Sequence, residues 1–219
     1  MNPIFPSILS TNFFDLESRL TEFASNHIDF IHLDVMDGHF VDNISFGPAM
    51  IPSIRSKFNF KFDSHLMIHN VKKMIPKYIE SGSDWISFHV ETGNQVQENI
   101  NTVKAHNRKV GLVVNPDTGV ETVFPFLPQI DYILLMSVYP GYGGQKFIKS
   151  TLGKVRKLKN EIVKSGSHCL IQVDGGINAS NIGELKKSGA DLFVVGTFLY
   201  NADKIQDTLD MILKKIDGA

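Results

Sequence analysis

The chain has 219 residues, of which 42% are hydrophobic and 21% charged, enough apolar material for one globular domain with a sizeable core. Its formal net charge of -1 leaves no surplus of Lys and Arg to neutralise nucleic-acid phosphates or hold an anionic membrane, so small molecules are the expected partners. A single cysteine, Cys169, excludes an intramolecular disulfide and suits a reducing compartment, which points to cytoplasm.

In chain order, the first residues, Met1-Asn2-Pro3-Ile4-Phe5, lack a basic stretch followed by a long apolar run, so neither secretion nor membrane insertion is expected. Eight short apolar or β-branched runs then recur, over residues 3–9, 30–36, 60–67, 85–90, 110–115, 132–138, 168–173 and 192–195, and each reads as a strand. Between them lie helical periods: Leu16, Leu20 and Phe23 behind an Asn12 cap, Val155, Leu158 and Ile162 in a Lys-rich segment, a segment opening at Asn178, and a last helix over residues 205–216. The weakest helix is 118–129, which contains Pro125 and Pro128. No linker, low-complexity tract or charge block divides the chain, so residues 1–219 are expected to form one domain.

A βα unit repeated along the whole chain implies a parallel sheet with helices outside it, either open and doubly wound or closed. An open sheet often carries a Gly-rich turn after its first strand, but Leu9-Ser10-Thr11-Asn12 follows Ile8 here. Polar residues stand at the ends of many strands: Ser7, His32, Asp34, His65, His89, Asn115, Ser137 and Asp174. That distribution suits a single (β/α)8 barrel, in which all strand ends surround one mouth.

Strand alternation puts His32, Asp34 and Met36 on one face of the second run, Asp63, His65 and Met67 on one face of the third, and Gln172 and Asp174 on one face of the seventh. Buried carboxylates and imidazoles are costly unless paired or bound to a metal. Two histidines and two aspartates from three strands therefore make a candidate site for one divalent cation. The alternative for each of these groups alone is a hydrogen-bonded polar residue of a barrel interior. Cys169, at the end away from the mouth, reads as a packed residue. The other histidines, His89 beside Glu91 included, are read as lacking this parity, and a structural hydrogen bond is the role expected of the His89 and Glu91 pair. Glycine clusters follow the last three strands, in Pro140-Gly141-Tyr142-Gly143-Gly144-Gln145, Gly175-Gly176 and Gly196-Thr197. Their backbone N–H groups can surround a phosphate, although each pair alone is more often a tight turn.

Taken together, Pro6-Ser7-Ile8-Leu9-Ser10, the stretch from His32-Leu33-Asp34-Val35-Met36 through Asp37-Gly38-His39-Phe40-Val41, Ser64-His65-Leu66-Met67, Met136-Ser137-Val138, the glycine loop at 140–145 and Val173-Asp174-Gly175-Gly176-Ile177 resemble the ribulose-phosphate 3-epimerase family. The resemblance runs through nearly the whole chain. It implies a TIM barrel that interconverts D-ribulose 5-phosphate and D-xylulose 5-phosphate in the pentose phosphate pathway. It also implies one divalent metal per chain on His32, Asp34, His65 and Asp174, zinc first, with Fe(II), Mn or Co as replacements, and no nucleotide or flavin. Asp34 and Asp174 would act as acid and base, and Ser7 and His65 would contact the substrate. Met36, Met67 and Met136 would line the space over the reacting carbons, and Gly143, Gly144, Gly175, Gly176, Gly196 and Thr197 would hold the phosphate.

The family's habit, with the apolar run Phe124-Pro125-Phe126-Leu127-Pro128, also implies a homo-oligomer, though that run can equally cover the barrel. Asp42, Gly119 and Tyr139 depart from the family's usual Pro, Pro and Asn, which bears on substrate preference and lid behaviour. The rivals are a hexulose 6-phosphate epimerase such as one acting on allulose 6-phosphate, a decarboxylase or aldol-type barrel, and a non-catalytic sugar-phosphate binding barrel. Asp34-Val35-Met36-Asp37 lacks the lysine of the decarboxylase pattern Asp-x-Lys-x-x-Asp.

Overall fold

Alternating residues within each strand run build two separate cores, and this determines the architecture. In the computed structural model, which describes residues 1–93 and 95–219, the eight runs form parallel strands: β1 (Ile4–Pro6), β2 (Phe30–Met36), β3 (Lys61–Met67), β4 (Trp85–His89), β5 (Lys109–Val114), β6 (Tyr132–Met136), β7 (Leu170–Asp174) and β8 (Leu192–Val195). Each strand pairs with the next from β2 to β8, β8 pairs with β1, and β1 returns to β2 through a single parallel bridge between Ser7 and His32. The sheet is thus a barrel, with its C-terminal strand ends around one mouth.

Helices α1 (Leu16–Ser25), α2 (Met50–Arg55), α3 (Val71–Glu80), α4 (Val96–Ala105), α5 (Thr151–Ser165), α6 (Ile182–Ser188), α7 (Thr197–Tyr200) and α8 (Ile205–Asp217) occupy the connections. In α5 the expected stripe is buried at Val155, Leu158 and Ile162, and the helix stops at Gly166, whose positive φ of 66° lets its N–H reach back to the last turn. Asn12 caps a short 3-10 turn, Phe13–Asp15, that leads into α1. Residues 118–129 do not make an α-helix; Pro125 sits inside a 3-10 stretch, Val120–Phe126, because its ring and missing N–H are incompatible with a longer α-helical ladder. Leu127 is buried and Phe124 and Phe126 pack on the core, so this run covers the barrel.

The outer core lies between strands and helices and contains Ile31, Leu33, Val35, Ile133 and Leu135. The inner core fills the barrel floor with Phe5, Phe30, Trp85, Tyr132, Leu134 and Leu192. Phe5 stacks on Phe30 with centroids 4.5 Å apart, and Trp85 meets Phe30 at 5.0 Å and Tyr132 at 4.8 Å. Cys169, buried just before β7 at the floor end, has its thiol pushed up to about 12 by burial, with Asp131 and Asp191 adding to the shift, which leaves it an inert packed residue.

Gly111 on β5 makes room for the Tyr132 ring: a Cβ built there would lie 2.5 Å from the ring. Gly111→Ala is therefore expected to destabilise the protein by about 1–3 kcal/mol through overpacking. Gly153→Ala, on α5 with nothing within 4 Å of the added carbon, is expected to stabilise by about 0.4–1 kcal/mol. Urea denaturation checks both signs, and equal midpoints for the two variants would refute the packing account.

Candidate active site

The polar face of β2 projects His32 and Asp34 into the barrel above the aromatic floor, β3 adds Asp63 and His65 at the same depth, and β7 adds Gln172 and Asp174. One ligand atom from each of His32, Asp34, His65 and Asp174 lies within 4.8 Å of the other three. His32 Nε2 is 3.4 Å from Asp34 Oδ1 and 4.0 Å from Asp174 Oδ2. His65 Nδ1 is 3.2 Å from Asp34 Oδ1 and 3.9 Å from Asp174 Oδ2. The two histidines thus offer opposite ring nitrogens to the same point.

The fit to a cation rests on His32. Its ring is fully buried, and its Nε2, aimed into the cluster, has no hydrogen-bond partner among the described residues. Such an atom is costly unless something coordinates it. The other nitrogen, Nδ1, is 2.9 Å from Asp63 Oδ2, and Asp63 is itself held by Tyr132 Oη–H at 2.7 Å and Gln172 Nε2–H at 2.8 Å. A carboxylate accepting from Nδ1–H leaves the Nε2 lone pair facing the cluster, as a metal ligand requires. Mixed nitrogen and oxygen donors at this spacing fit one divalent cation. Asp63 is thus a supporting residue absent from the expected ligand set, and its shared parity with His65 was the signal for it.

Burial and neighbours push the two cluster carboxylates in opposite directions. Burial raises the Asp174 carboxyl, the charge of Asp34 adds to the rise and His32 opposes it, leaving it at about 8. Burial works against ionising Asp34 too, but His32 and His65 outweigh it and hold Asp34 well below the usual carboxylate range. Burial also opposes charge on His32, yet Asp34 and Asp63 keep it well above the usual imidazole range, while burial takes His65 down to about 4. Without a cation, these neighbours therefore favour the charged forms of Asp34 and His32 and the neutral form of Asp174. Ser7, at the end of β1, donates its hydroxyl to Asp34 Oδ2 at 2.6 Å.

Above the cluster opens a cavity of about 300 Å³. Ser7, Asp34, Asp174, Met36, Met67 and Met136 line its floor side, and Gly143, Gly144, Gly175, Gly176, Gly196 and Thr197 line it as well. At Gly175, φ is +118° and a Cβ would meet Val138 at 2.5 Å; at Gly176, φ is +63° and a Cβ would meet the backbone of Phe147 and Gln145. Only glycine fits these two positions, and their bare backbone faces the cavity. His65 does not line it; the ring lies behind Asp34. Ser10, not singled out from the sequence, lines the cavity with its Oγ 3.0 Å from Thr197 Oγ1, and its place in the 3-10 turn capped by Ser7 was the available signal.

His89 makes the hydrogen bond to Glu91 expected of that pair, at 3.3 Å, but differs from its sequence reading in parity. The parity of Trp85, Ser87 and His89 turns all three inward, and His89 Nε2 lies 2.8 Å from His65 Nε2 with both rings fully buried. The departures from the family pattern lie on tied loops. Tyr139 Oη donates to Asp117 Oδ1 at 3.0 Å, and Tyr142 Oη donates to the Asp42 carbonyl at 3.1 Å. Gly119 precedes the 3-10 stretch.

Comparison with known proteins agrees with this geometry. A model of the "Ribulose-phosphate 3 epimerase family" matches residues 3–200. Proteins named ribulose-phosphate 3-epimerase are 39% identical over 206 residues in Aquifex aeolicus, covering 94% of this chain and 93% of that protein. The corresponding protein of Escherichia coli K12 is 37% identical over 208 residues, covering 94% and 92%. Among solved structures, 3-hexulose-6-phosphate synthase from Salmonella typhimurium superimposes with a TM-score of 0.71 at 15% identity, covering 99% of each chain, a likeness of fold alone.

The protonation pattern gives the site a pH signature. Binding a cation requires both His32 and Asp174 to shed a proton, so zinc affinity is expected to rise with pH, by up to about a hundredfold per unit between pH 6 and 7. Chelator competition on metal-stripped protein measures this, and an affinity independent of pH would exclude His32 as a ligand. In the metal-free fold the raised Asp174 carboxyl contributes stability that is complete below its ordinary range and lost as pH rises through about 8.

Proposed function

The chain belongs to the ribulose-phosphate 3-epimerase family and is an epimerase, and we propose that its reaction is inversion at C3 between D-ribulose 5-phosphate and D-xylulose 5-phosphate in the pentose phosphate pathway. The observation that carries this reading is the placement of Asp34, on β2, and Asp174, on β7, in one cavity. Inversion needs a base on one side of the reacting carbon and an acid on the other.

The C3 proton beside the C2 ketone is too weakly acidic to leave unaided. His32, Asp34, His65 and Asp174 would hold a divalent cation, zinc first with Fe(II), Mn or Co as replacements, which would supply positive charge where enediolate character develops. One aspartate removes the C3 proton, and the electron pair of the C–H bond moves into the enediolate. The other aspartate returns a proton to C3 from the opposite face, and the electrons reform the ketone. One proton is thus shared by the pair, and no nucleotide or flavin is needed because nothing is oxidised.

Ser7 donates to Asp34 Oδ2 and so holds that carboxylate in place. Met36, Met67 and Met136 give the reacting carbons an apolar cover that keeps water from competing for the proton. The bare backbone at Gly143, Gly144, Gly175, Gly176 and Gly196, with the hydroxyl of Thr197, receives the phosphate and anchors the far end of the sugar. The setting we propose is cytoplasmic, with the chain self-associated; among the described residues, no helix is long and apolar enough to cross a membrane.

Asp34→Asn and Asp174→Asn are each expected to lower net epimerisation by about 10²–10⁴, or roughly 3–5 kcal/mol of barrier. A coupled assay for xylulose 5-phosphate reads this, after circular dichroism and metal analysis show each variant folded and loaded. In deuterated solvent each loaded variant should slowly exchange the C3 proton of one epimer without forming the other, with the two variants favouring opposite epimers. A folded, loaded variant that interconverts the sugars at more than about a tenth of the parent rate would overturn the two-aspartate assignment.

A further inference from the structure

We infer that Glu91, acting through His89, is a positioning residue that keeps the Nδ1 lone pair of His65 turned toward the His/Asp cluster and so tightens cation binding there. This inference rests on the reading of the cluster as a metal centre. Three side chains form a line away from it: His65 Nε2 is 2.8 Å from His89 Nε2, and His89 Nδ1 is 3.3 Å from Glu91 Oε2. The two rings stack with centroids 5.0 Å apart, and Phe40 covers His89 at 4.6 Å. Both imidazoles are fully buried, so no water can substitute for a missing partner.

Two neutral nitrogens 2.8 Å apart share one proton, which leaves two arrangements of the line. In the first, His65 carries its proton on Nε2 and donates to His89, and His89 carries its own on Nδ1 and donates to Glu91. His65 Nδ1 is then bare toward the cluster. In the second, His89 donates from Nε2 to His65, whose proton moves to Nδ1 and points at Asp34, and a bare His89 Nδ1 faces a carboxylate. The second arrangement sets two acceptors 3.3 Å apart at Glu91. The first sets two 3.2 Å apart, at His65 Nδ1 and Asp34 Oδ1, unless a cation lies between them. The charge on Glu91 therefore favours the arrangement that cation binding requires.

The end of the line is anchored. Glu91 Oε1 accepts the Asn115 backbone N–H at 2.9 Å, and Lys154 Nζ, on α5, donates to the carbonyls of Asn115, Pro116 and Thr118, fixing the turn that carries that N–H. Burial works against ionising Glu91, but hydrogen bonds from His89, Thr118 and Asn115 outweigh it and hold the carboxyl below its usual range. His32 is oriented in a parallel way by Asp63, so each metal histidine has a carboxylate behind it, directly for His32 and through a second imidazole for His65.

The test uses the full chain, stripped of metal and titrated with zinc against a chromophoric chelator. Glu91→Gln, which keeps the shape and offers a neutral acceptor, is expected to weaken zinc binding by about tenfold, and Glu91→Val by up to about 100-fold. A readout that a merely structural role would not move is the ring-nitrogen NMR spectrum of zinc-loaded protein. The parent should show the His89 proton on Nδ1 in a strong hydrogen bond, and Glu91→Gln should move that proton resonance upfield. A His89 proton on Nε2 in the loaded parent, which needs no variant to fold, would overturn the inference. So would Glu91→Val binding zinc within about threefold of the parent. A parent that binds no zinc removes the metal centre and this inference together, whereas tight parental binding unmoved by the Glu91 variants removes this inference alone.

Discussion

Everything above the barrel floor depends on burying ionisable groups where water cannot reach them. His32, Asp34, Asp63, His65 and His89 are each at most 4% exposed, inside a sheet whose strands would ordinarily be apolar on both faces. Isolated, each would cost several kcal/mol or lose its charge. They persist because each is assigned a partner: Asp63 to His32, Ser7 to Asp34, His89 to His65 and Glu91 to His89. Among the described residues Ser87 Oγ and Gln172 Oε1 are also buried without a partner, but His32 Nε2 is the unpartnered atom that belongs to the His/Asp cluster, and it has the donor chemistry of a cation ligand.

The same crowding pushes two chemically identical side chains in opposite directions. Asp34 sits against two imidazoles and a hydroxyl, all of which favour its charge. Asp174 projects from the far side of the mouth with longer distances to both histidines and feels chiefly burial and the charge of Asp34. Neither environment is unusual alone. Their proximity couples the two ionisations, so that charge on one disfavours charge on the other.

Much of this was legible in the amino-acid order. In β2 the polar residues fall on one parity and the β-branched ones on the other, so alternation alone placed His32 and Asp34 on the inner face, and the same reasoning reached His65 and Asp174. It failed at β4, where Trp85 and Phe88 make both faces large and apolar and hide the fact that Ser87 and His89 share the inward parity. Asp63 was visible by parity, but its partners Tyr132 and Gln172 come from strands 69 and 109 residues away, and only the closed barrel brings them to it. The helical reading of 118–129 failed because periodicity outlasts a proline that the backbone hydrogen bonds cannot accommodate. Ser10 escaped because its partner, Thr197, lies at the opposite end of the chain.

The barrel is zipped shut along one seam, the Ser7 and His32 bridge between its first and second strands. Both residues reach the cluster: Ser7 also clasps Asp34 across that seam, and His32 lies within it. The place where the sheet is least stitched by its own ladder is thus where the site supplies extra stitches. A molecule with its seam parted would keep its other strand pairings yet pull Ser7 away from Asp34, so closing the cylinder and completing the hydrogen bonds of the cluster are one event.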